Sequence, residues 1–313
     1  MTANQTVSRR SALTAAGALG VAGAVFSHAA TAEAAPPQTD TAALIGPAGD
    51  GELHIMSFNI RFDNPAAGPG NPDFWQDRIG PIRALLATEQ PTIMGVQEAL
   101  FHQLMAIEEA LPEYFDFVGY GRDGGSEGEY SAIFFDDRRL DLLEWDQYWL
   151  SDNPELIGSA TWGNTVTRIV TWGRFKDLST GRQVLVVNTH FDHESENARI
   201  RSAQALLELE ARHPGIPTIL TGDFNSRAEA SSAYSTLVRD GGVVDTWNAA
   251  ARRLTPEYGT FPDYQEPVVD GGRIDWILAT PDVAVLQAAI NTSTTGGRYP
   301  SDHAPVQALV RLT

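Results

Sequence analysis

Apolar and polar positions alternate in short bursts along most of this chain, and many bursts end on an acid, an amide or an imidazole. Leu53 to Ile60 alternates and reads as a strand that delivers Asn59. Pro91 to Glu98 is a second, more continuously apolar strand finishing on an acid. Tyr114 to Tyr120, Ser131 to Phe135 and Leu140 to Leu150 follow as strands, and Arg168 to Lys176 pairs with Gln183 to Thr189 as a hairpin through Asp177 to Gly181. Arg273 to Leu278, Val283 to Ile290 and Pro305 to Leu312 are the last strands. Helical spacing is seen at Asp77 to Glu89, with Pro81 near its start, at Phe101 to Leu111, and at Glu194 to Ala211, where Ile200, Ala203, Leu206, Leu207 and Leu209 lie on or beside one face. A further helix is expected from about Ala228 to Asp240. Arg61 to Trp75 and the Pro/Gly-rich passage ending at Gly272 read as loops. Strands and helices alternate to the end with no fixed-period repeat, which points to one α/β domain.

The stretch on which the rest is organised is Thr218-Ile219-Leu220-Thr221-Gly222-Asp223-Phe224-Asn225. Alternate residues of an extended segment point the same way, so Asp223 and Asn225 project together from the end of a buried strand. Gly222 lets the backbone turn or approach a ligand there. A carboxylate beside a carboxamide suits an attacking water and a phosphoryl oxygen, although an Asx turn would use the same residues. Other strand ends add Asn59, Glu98, His190, and Asp302 with His303. Each has a plain alternative: a helix cap for Glu98, a core histidine for His190, a turn for Asp302. Asp275, flanked by Ile274 and Trp276, needs a partner if buried, and His303 is the one expected.

The chain has 313 residues, 42% of them hydrophobic, which is enough for a large core, and a formal charge of −18. That charge repels polyphosphate backbones and counts against a general nuclease. With no cysteine, disulfides, thiolate metal sites and a cysteine nucleophile are excluded. Residues 1–35 read as a twin-arginine-type export signal: Arg9-Arg10, an Ala/Gly-rich apolar run, then Ala32-Glu33-Ala34. The expected location is therefore secreted or cell-envelope. Residues 36–50 read as a linker and 51–313 as a single catalytic domain.

The motifs Met56-Ser57-Phe58-Asn59-Ile60-Arg61, Gly95-Val96-Gln97-Glu98, Val187-Asn188-Thr189-His190, Thr221-Gly222-Asp223-Phe224-Asn225, Arg273-Ile274-Asp275-Trp276-Ile277 and Tyr299-Pro300-Ser301-Asp302-His303-Ala304-Pro305-Val306 occur in that order. Together they resemble the endonuclease/exonuclease/phosphatase superfamily, over about Gly51 to Thr313. The resemblance implies an α/β (α+β) four-layer sandwich of two packed, mostly antiparallel sheets flanked by helices. It also implies divalent-metal-dependent hydrolysis of a phosphate ester. Carried over by residue, Glu98 is the main Mg²⁺ ligand, with Mn²⁺ as a substitute, and Asn59 and Asp302 are further or water-mediated ligands. Asp275 orients His303, which is favoured as the base with Asp223 as the alternative. Asn225 positions the nucleophile or a phosphoryl oxygen. His190 stabilises phosphate charge or protonates the leaving group.

His190 and His193 admit a competing zinc site. Arg168 and Arg298, each beside a motif, are the arginines expected to bind substrate, ahead of Arg61 and Arg122. Trp75, Trp149, Trp162 and Trp172 could stack on a sugar or base, or belong to the core. No apolar hairpin tip announces a membrane partner. The expected activity is that of a phosphodiesterase or phosphomonoesterase acting on a small or glycan-linked phosphate ester. A secreted nuclease and a non-catalytic binding domain on the same scaffold are the alternatives.

Overall fold

The computed structural model describes residues 42–313, so the expected export signal and residues 36–41 of the expected linker lie outside the described residues. The elements run β1 (Leu53–Asn59), α1 (Trp75–Glu89), β2 (Ile93–Gln97), α2 (Phe101–Ala110), β3 (Phe115–Val118), β4 (Ile133–Asp136), β5 (Leu140–Trp149), β6 (Ile169–Asp177), β7 (Gln183–His190), α3 (Glu196–Ala211) and β8 (Thr218–Asp223). After a helical segment come β9 (Val244–Asp245), β10 (Arg252–Arg253), β11 (Asp275–Ala279), β12 (Val283–Ile290) and β13 (Val306–Leu312). One sheet has the order β10-β12-β13-β1-β2-β4-β3 and the other β5-β6-β7-β8-β11-β9.

Strand alternation builds the layers. Ile55, Ile93 and Phe135 of the first sheet meet Val186, Ile219 and Ile277 of the second in a core between the sheets. The opposite face of the first sheet, Met56, Phe58 and Met94, is covered by Ile82 and Leu86 of α1 and by Leu104 and Ile107 of α2. Val187, Leu220 and Trp276 of the second sheet are covered by Ala203, Leu206 and Leu209 of α3, whose N-terminus Ser195 caps by accepting from the Ala198 N–H. Burial of each such leucine contributes about 2 kcal/mol. The result is the four-layer α/β sandwich that the family resemblance implied.

Towards one end, the interface between the sheets turns polar. Asn188 of β7 donates to the carbonyls of Val96 and Ala132 (2.8 and 2.9 Å) and accepts from Gln97 Nε2 (2.7 Å) and Thr221 Oγ1 (3.0 Å). Gly95 has no side chain because this cluster fills the space: a Cβ there would lie 2.6 Å from Asn188 Oδ1.

Several local expectations are corrected. The expected helix at 228–240 is a short turn at Ser232–Tyr234 that widens into a π-helical segment, Ser235–Asp240. Its first residues do not join because Glu229 is left-handed (φ 63°), which no residue of a right-handed helix can be. Helix α1 begins at the buried Trp75, two residues before the expected Asp77, so Pro81 lies in the helix interior. Gly222 serves the sheet: a Cβ would come within 2.7 Å of the Thr189 carbonyl on β7. The two-residue strands β9 and β10 are too short to leave a pattern. Finally, part of the expected linker is docked. The N–H groups of Leu44, Ile45 and Gly46 converge on the buried Glu89 carboxylate at 2.8, 3.2 and 3.2 Å.

The topology places the site. Strands β1 and β2 are parallel, as are β7 and β8, so the C-terminal ends within each pair lie side by side, and sheet packing brings the pairs together, with Asn59 Nδ2 3.0 Å from Asp223 Oδ2. Strand β13 runs antiparallel to β1 and β11 antiparallel to β8, so both begin at that same end.

Candidate active site

Asn59, Glu98, His190, Asp223, Asp275 and His303 therefore meet where the two sheets open. The centre is Asp223, almost wholly buried. Its Oδ2 accepts from Asn59 Nδ2 at 3.0 Å and lies 3.4 Å from His190 Nε2 and 3.7 Å from His303 Nε2. Its Oδ1 accepts the Asn225 backbone N–H at 2.9 Å, which the left-handed Asn225 (φ 46°) directs back to it. The Asn225 side chain bonds His190 Nε2 at 2.9 Å. Asp275, the first residue of β11, is the register partner of Asp223, so two carboxylates face one another across neighbouring strands. His303 spans them, with Nδ1 2.9 Å from Asp275 Oδ2, as the sequence suggested.

Glu98 stands on the open side of Asp223. Its left-handed backbone (φ 63°) ends β2 and turns the carboxylate inward, where Oε1 accepts from Asn59 Nδ2 (2.9 Å). Asn59 thus bridges Glu98 and Asp223, while its Oδ1 accepts the Arg61 N–H (3.0 Å). Arg61 sits between Glu98 and Asp302 (3.7 and 3.6 Å) and is gripped by Asp73. Asp302 is buried, with Oδ1 accepting from Ser301 Oγ at 3.1 Å.

These neighbours set the protonation states. Burial, then the facing Asp275, push Asp223 up to about 7 against the opposing pull of His303. For His303, burial disfavours the charge, but Asp275, Asp223 and Asp302 outweigh it and raise the imidazole to about 10. His190 goes the other way: burial, then Arg168 and His303, hold it well below its ordinary value. Burial raises Asp302, partly offset by His303.

Ligand atoms of Glu98, His190 and Asp223 lie within 4.8 Å of one another. Two carboxylates, a neighbouring third at Asp302, and no thiolate form a donor set that fits a hard divalent cation. The zinc alternative fares worse. His193 is half exposed, its Nδ1 faces Arg168 Nη2 at 3.1 Å, and among the described residues it is not in the group of ligand atoms that converges with His190.

Of the two expected substrate arginines, Arg168 is buried next to His190, with Nε 3.7 Å from Asp192 Oδ2. Arg298 is a correction: its exposed guanidinium pairs with Asp77 of α1 at 2.9 Å, and among the described residues it has no bond to the cluster. Trp75, Trp149, Trp162 and Trp172 are all core residues. The sequence reading missed Arg78, whose buried guanidinium donates to the carbonyls of Arg61 (3.0 Å), Phe62 (3.1 Å) and Asp73 (3.2 Å) and so shapes the loop after β1. Its one signal was a charge within an otherwise apolar helical stripe. Phe261 was also missed. Half exposed in the Pro/Gly-rich passage, its ring lies 4.8 Å from that of His303.

A two-sheet sandwich with this cluster at the joint strand ends is the architecture of a phosphoric ester hydrolase. The Endonuclease/Exonuclease/phosphatase family matches residues 56–303, and the chain belongs to that family. It is 33% identical to a family protein from Bacteroides thetaiotaomicron, with a TM-score of 0.78 over 84% of this chain and 95% of that one. It is also 33% identical to a mannosyl-6-phosphatase from Bacteroides thetaiotaomicron VPI-5482, with a TM-score of 0.75 over 82% of this chain and 99% of that one. The human Nocturnin catalytic domain shares the fold at 17% identity and a TM-score of 0.64, over 84% and 94% of the two chains. Among curated proteins, Drosophila melanogaster Protein angel is 26% identical over 182 residues, which is 55% of this chain and about half (49%) of that protein.

Proposed function

We propose that this protein is an exported, Mg²⁺-dependent hydrolase of small phosphate esters, with Mn²⁺ able to substitute. The observation that carries the reading is the shared Asp223 carboxylate, reached at once by Asn59, His190 and His303. Glu98 would hold the cation, aided by Asp302 and Asn59. Bound there, it would neutralise charge on the phosphate and polarise a phosphoryl oxygen.

The chain's own residues divide the proton work. Asp223, raised towards neutrality, takes the proton from the attacking water. His303, kept protonated by Asp275, presents positive charge to the phosphoryl group. This reverses the preference drawn from the sequence, which favoured His303 as base. The neutral His190, held by the Asn225 side chain, orients the ester and is not an acid for the leaving group. The mannosyl-6-phosphatase relative supports a phosphomonoester substrate.

The reading is tested with p-nitrophenyl phosphate and its bis ester under Mg²⁺, Mn²⁺ or chelator. Monoester turnover that chelator abolishes, and that Asp223→Asn lowers by about 10² or more, is expected. Full activity in chelator, or in Asp223→Asn, refutes it. Export is tested by replacing Arg9 and Arg10 with lysine, which should retain the protein in the cytoplasm; continued export of that variant refutes it.

A further inference from the structure

Beside the reaction centre is a shallow hollow, open to solvent, lined by Arg122, Glu129, Ser131, Thr167, Arg168 and His190, among others. It opens on the centre through His190, whose Nε2 is 3.4 Å from Asp223. Its far wall is a forked ion pair: Arg122 Nη1 and Nη2 donate to Glu129 Oε2 and Oε1 at 2.9 and 2.8 Å. The fork is held rigid. The Arg122 N–H bonds the Glu129 carbonyl at 2.9 Å, and the Arg122 carbonyl accepts Trp149 Nε1 at 2.7 Å. A guanidinium and a carboxylate fixed side by side offer donors next to lone pairs, the complement of hydroxyl groups, which both donate and accept.

Charge then separates the candidate ligands. Arg122 is matched by Glu129, and Arg168 faces Asp192 at 3.7 Å, where Arg168 Nε and Asp192 Oδ2 are buried with no hydrogen-bond partner. A second phosphate, as in a nucleic acid or polyphosphate, needs cations that are not already matched by carboxylates. A neutral polyol needs none. We infer that this hollow receives the leaving group of the substrate, and that the Arg122–Glu129 fork selects one that is uncharged and bears several hydroxyls, making the substrate a sugar or polyol monophosphate.

The inference rests on the phosphate ester hydrolase reading above, and the test separates the two. Wild type, Glu129→Gln and Arg122→Lys are compared on mannose 6-phosphate and on p-nitrophenyl phosphate, whose leaving group carries no further hydroxyl. Thermal melting confirms that each variant is folded. Losing a partner for a substrate hydroxyl costs discrimination, so kcat/KM for the sugar phosphate should fall about 30-fold or more. The loss on p-nitrophenyl phosphate should be at least about tenfold smaller. Equal losses on the two esters overturn the inference, as does no loss on the sugar phosphate. Wild-type turnover of p-nitrophenyl phosphate with no turnover of mannose, glucose or glycerol phosphates also overturns it and leaves the hydrolase reading standing. No turnover of any ester with metal sinks both.

Discussion

Asp275 is the residue whose replacement reports most on the mechanism, because it acts on two groups at once. It accepts from His303 Nδ1 at 2.9 Å and faces Asp223 as its register partner across β8 and β11. Asp275→Asn keeps size and shape but removes the charge. An asparagine can turn its N–H₂ towards Nδ1, which favours the opposite tautomer, and it no longer holds the imidazolium. A triad-like carboxylate treated this way loses about 10⁴ in kcat, and a single acid–base role is worth about 10² to 10⁴. A loss of about 10³ in kcat with little change in KM is expected. The pH profile adds a sign. Asp275 is the largest charge raising Asp223, after burial, so its removal lowers the Asp223 value from about 7 as long as Asp223 and Asp302 keep His303 protonated through the acidic limb. Activity that needs Asp223 ionised then rises at lower pH, and the acidic limb of kcat/KM moves down. The assay is the pH dependence of p-nitrophenyl phosphate hydrolysis for both proteins, with melting curves as a folding control. Activity within threefold of wild type, or an acidic limb that stays or moves up, refutes the division of roles between Asp223 and His303.

Glu98→Gln should abolish the stabilisation that a bound dication confers. At a hundredfold excess over Kd this is about 2.7 kcal/mol, read as a rise in Tm with Mg²⁺ in wild type only; equal rises would exclude Glu98 as a ligand. His54 is fully buried, donates from Nδ1 to the Gly46 carbonyl at 2.8 Å, and is lowered to about 4 by burial, against the pull of Glu89. The unfolded chain therefore takes up this proton first as pH falls: the contribution is complete above about 6.5 and is lost through about 4. Between pH 7.5 and 5 wild type should lose about 2 kcal/mol more than His54→Gln in urea denaturation, and parallel losses would refute this. Gly95→Ala drives a methyl into Asn188 and Thr221, so a loss of about 1–3 kcal/mol in the same assay is expected; an unchanged midpoint would mean the polar layer yields freely.

Much of the site was readable from the sequence because each member sits at a strand end, where an apolar run meets one polar residue. Asn59, Glu98, His190 and Asp223 are all of this kind: parallel pairing sets Asn59 beside Glu98 and His190 beside Asp223, and the packing of the two sheets joins the pairs. The Asp275–His303 pair was readable for another reason: an acid among Ile274 and Trp276 cannot be buried alone. What stayed hidden depends on long-range contact. Arg78 reads as one charge on a helix, and only the fold brings the carbonyls of the β1 loop onto it. Arg298 looked placed by its neighbouring motif, but its side chain swings to Asp77. Residues 44–46 have a linker's composition, and only the buried Glu89 reveals that their N–H groups are held. The protonation order of Asp223 and His303 is set by a cross-strand register that no local pattern states.

The charge of the whole chain and the lining of the hollow bear on the same choice of substrate. At a formal −18, every phosphate brought to the surface meets repulsion, and a chain of phosphates meets it repeatedly. Nucleic-acid binding overcomes this with unneutralised lysine and arginine. Lys176 is the sole lysine in this sequence. Among the arginines nearest the centre, Arg61 is held by Asp73, Arg122 by Glu129, and Arg168 faces Asp192. An ester with one phosphate meets the repulsion once, at the place where Glu98 can hold a compensating cation. Its remaining atoms gain by being neutral and hydroxyl-rich. Selection against polyanions thus operates at long range through net charge and at short range through the paired arginines, so a single substitution at Glu129 should relax only the second.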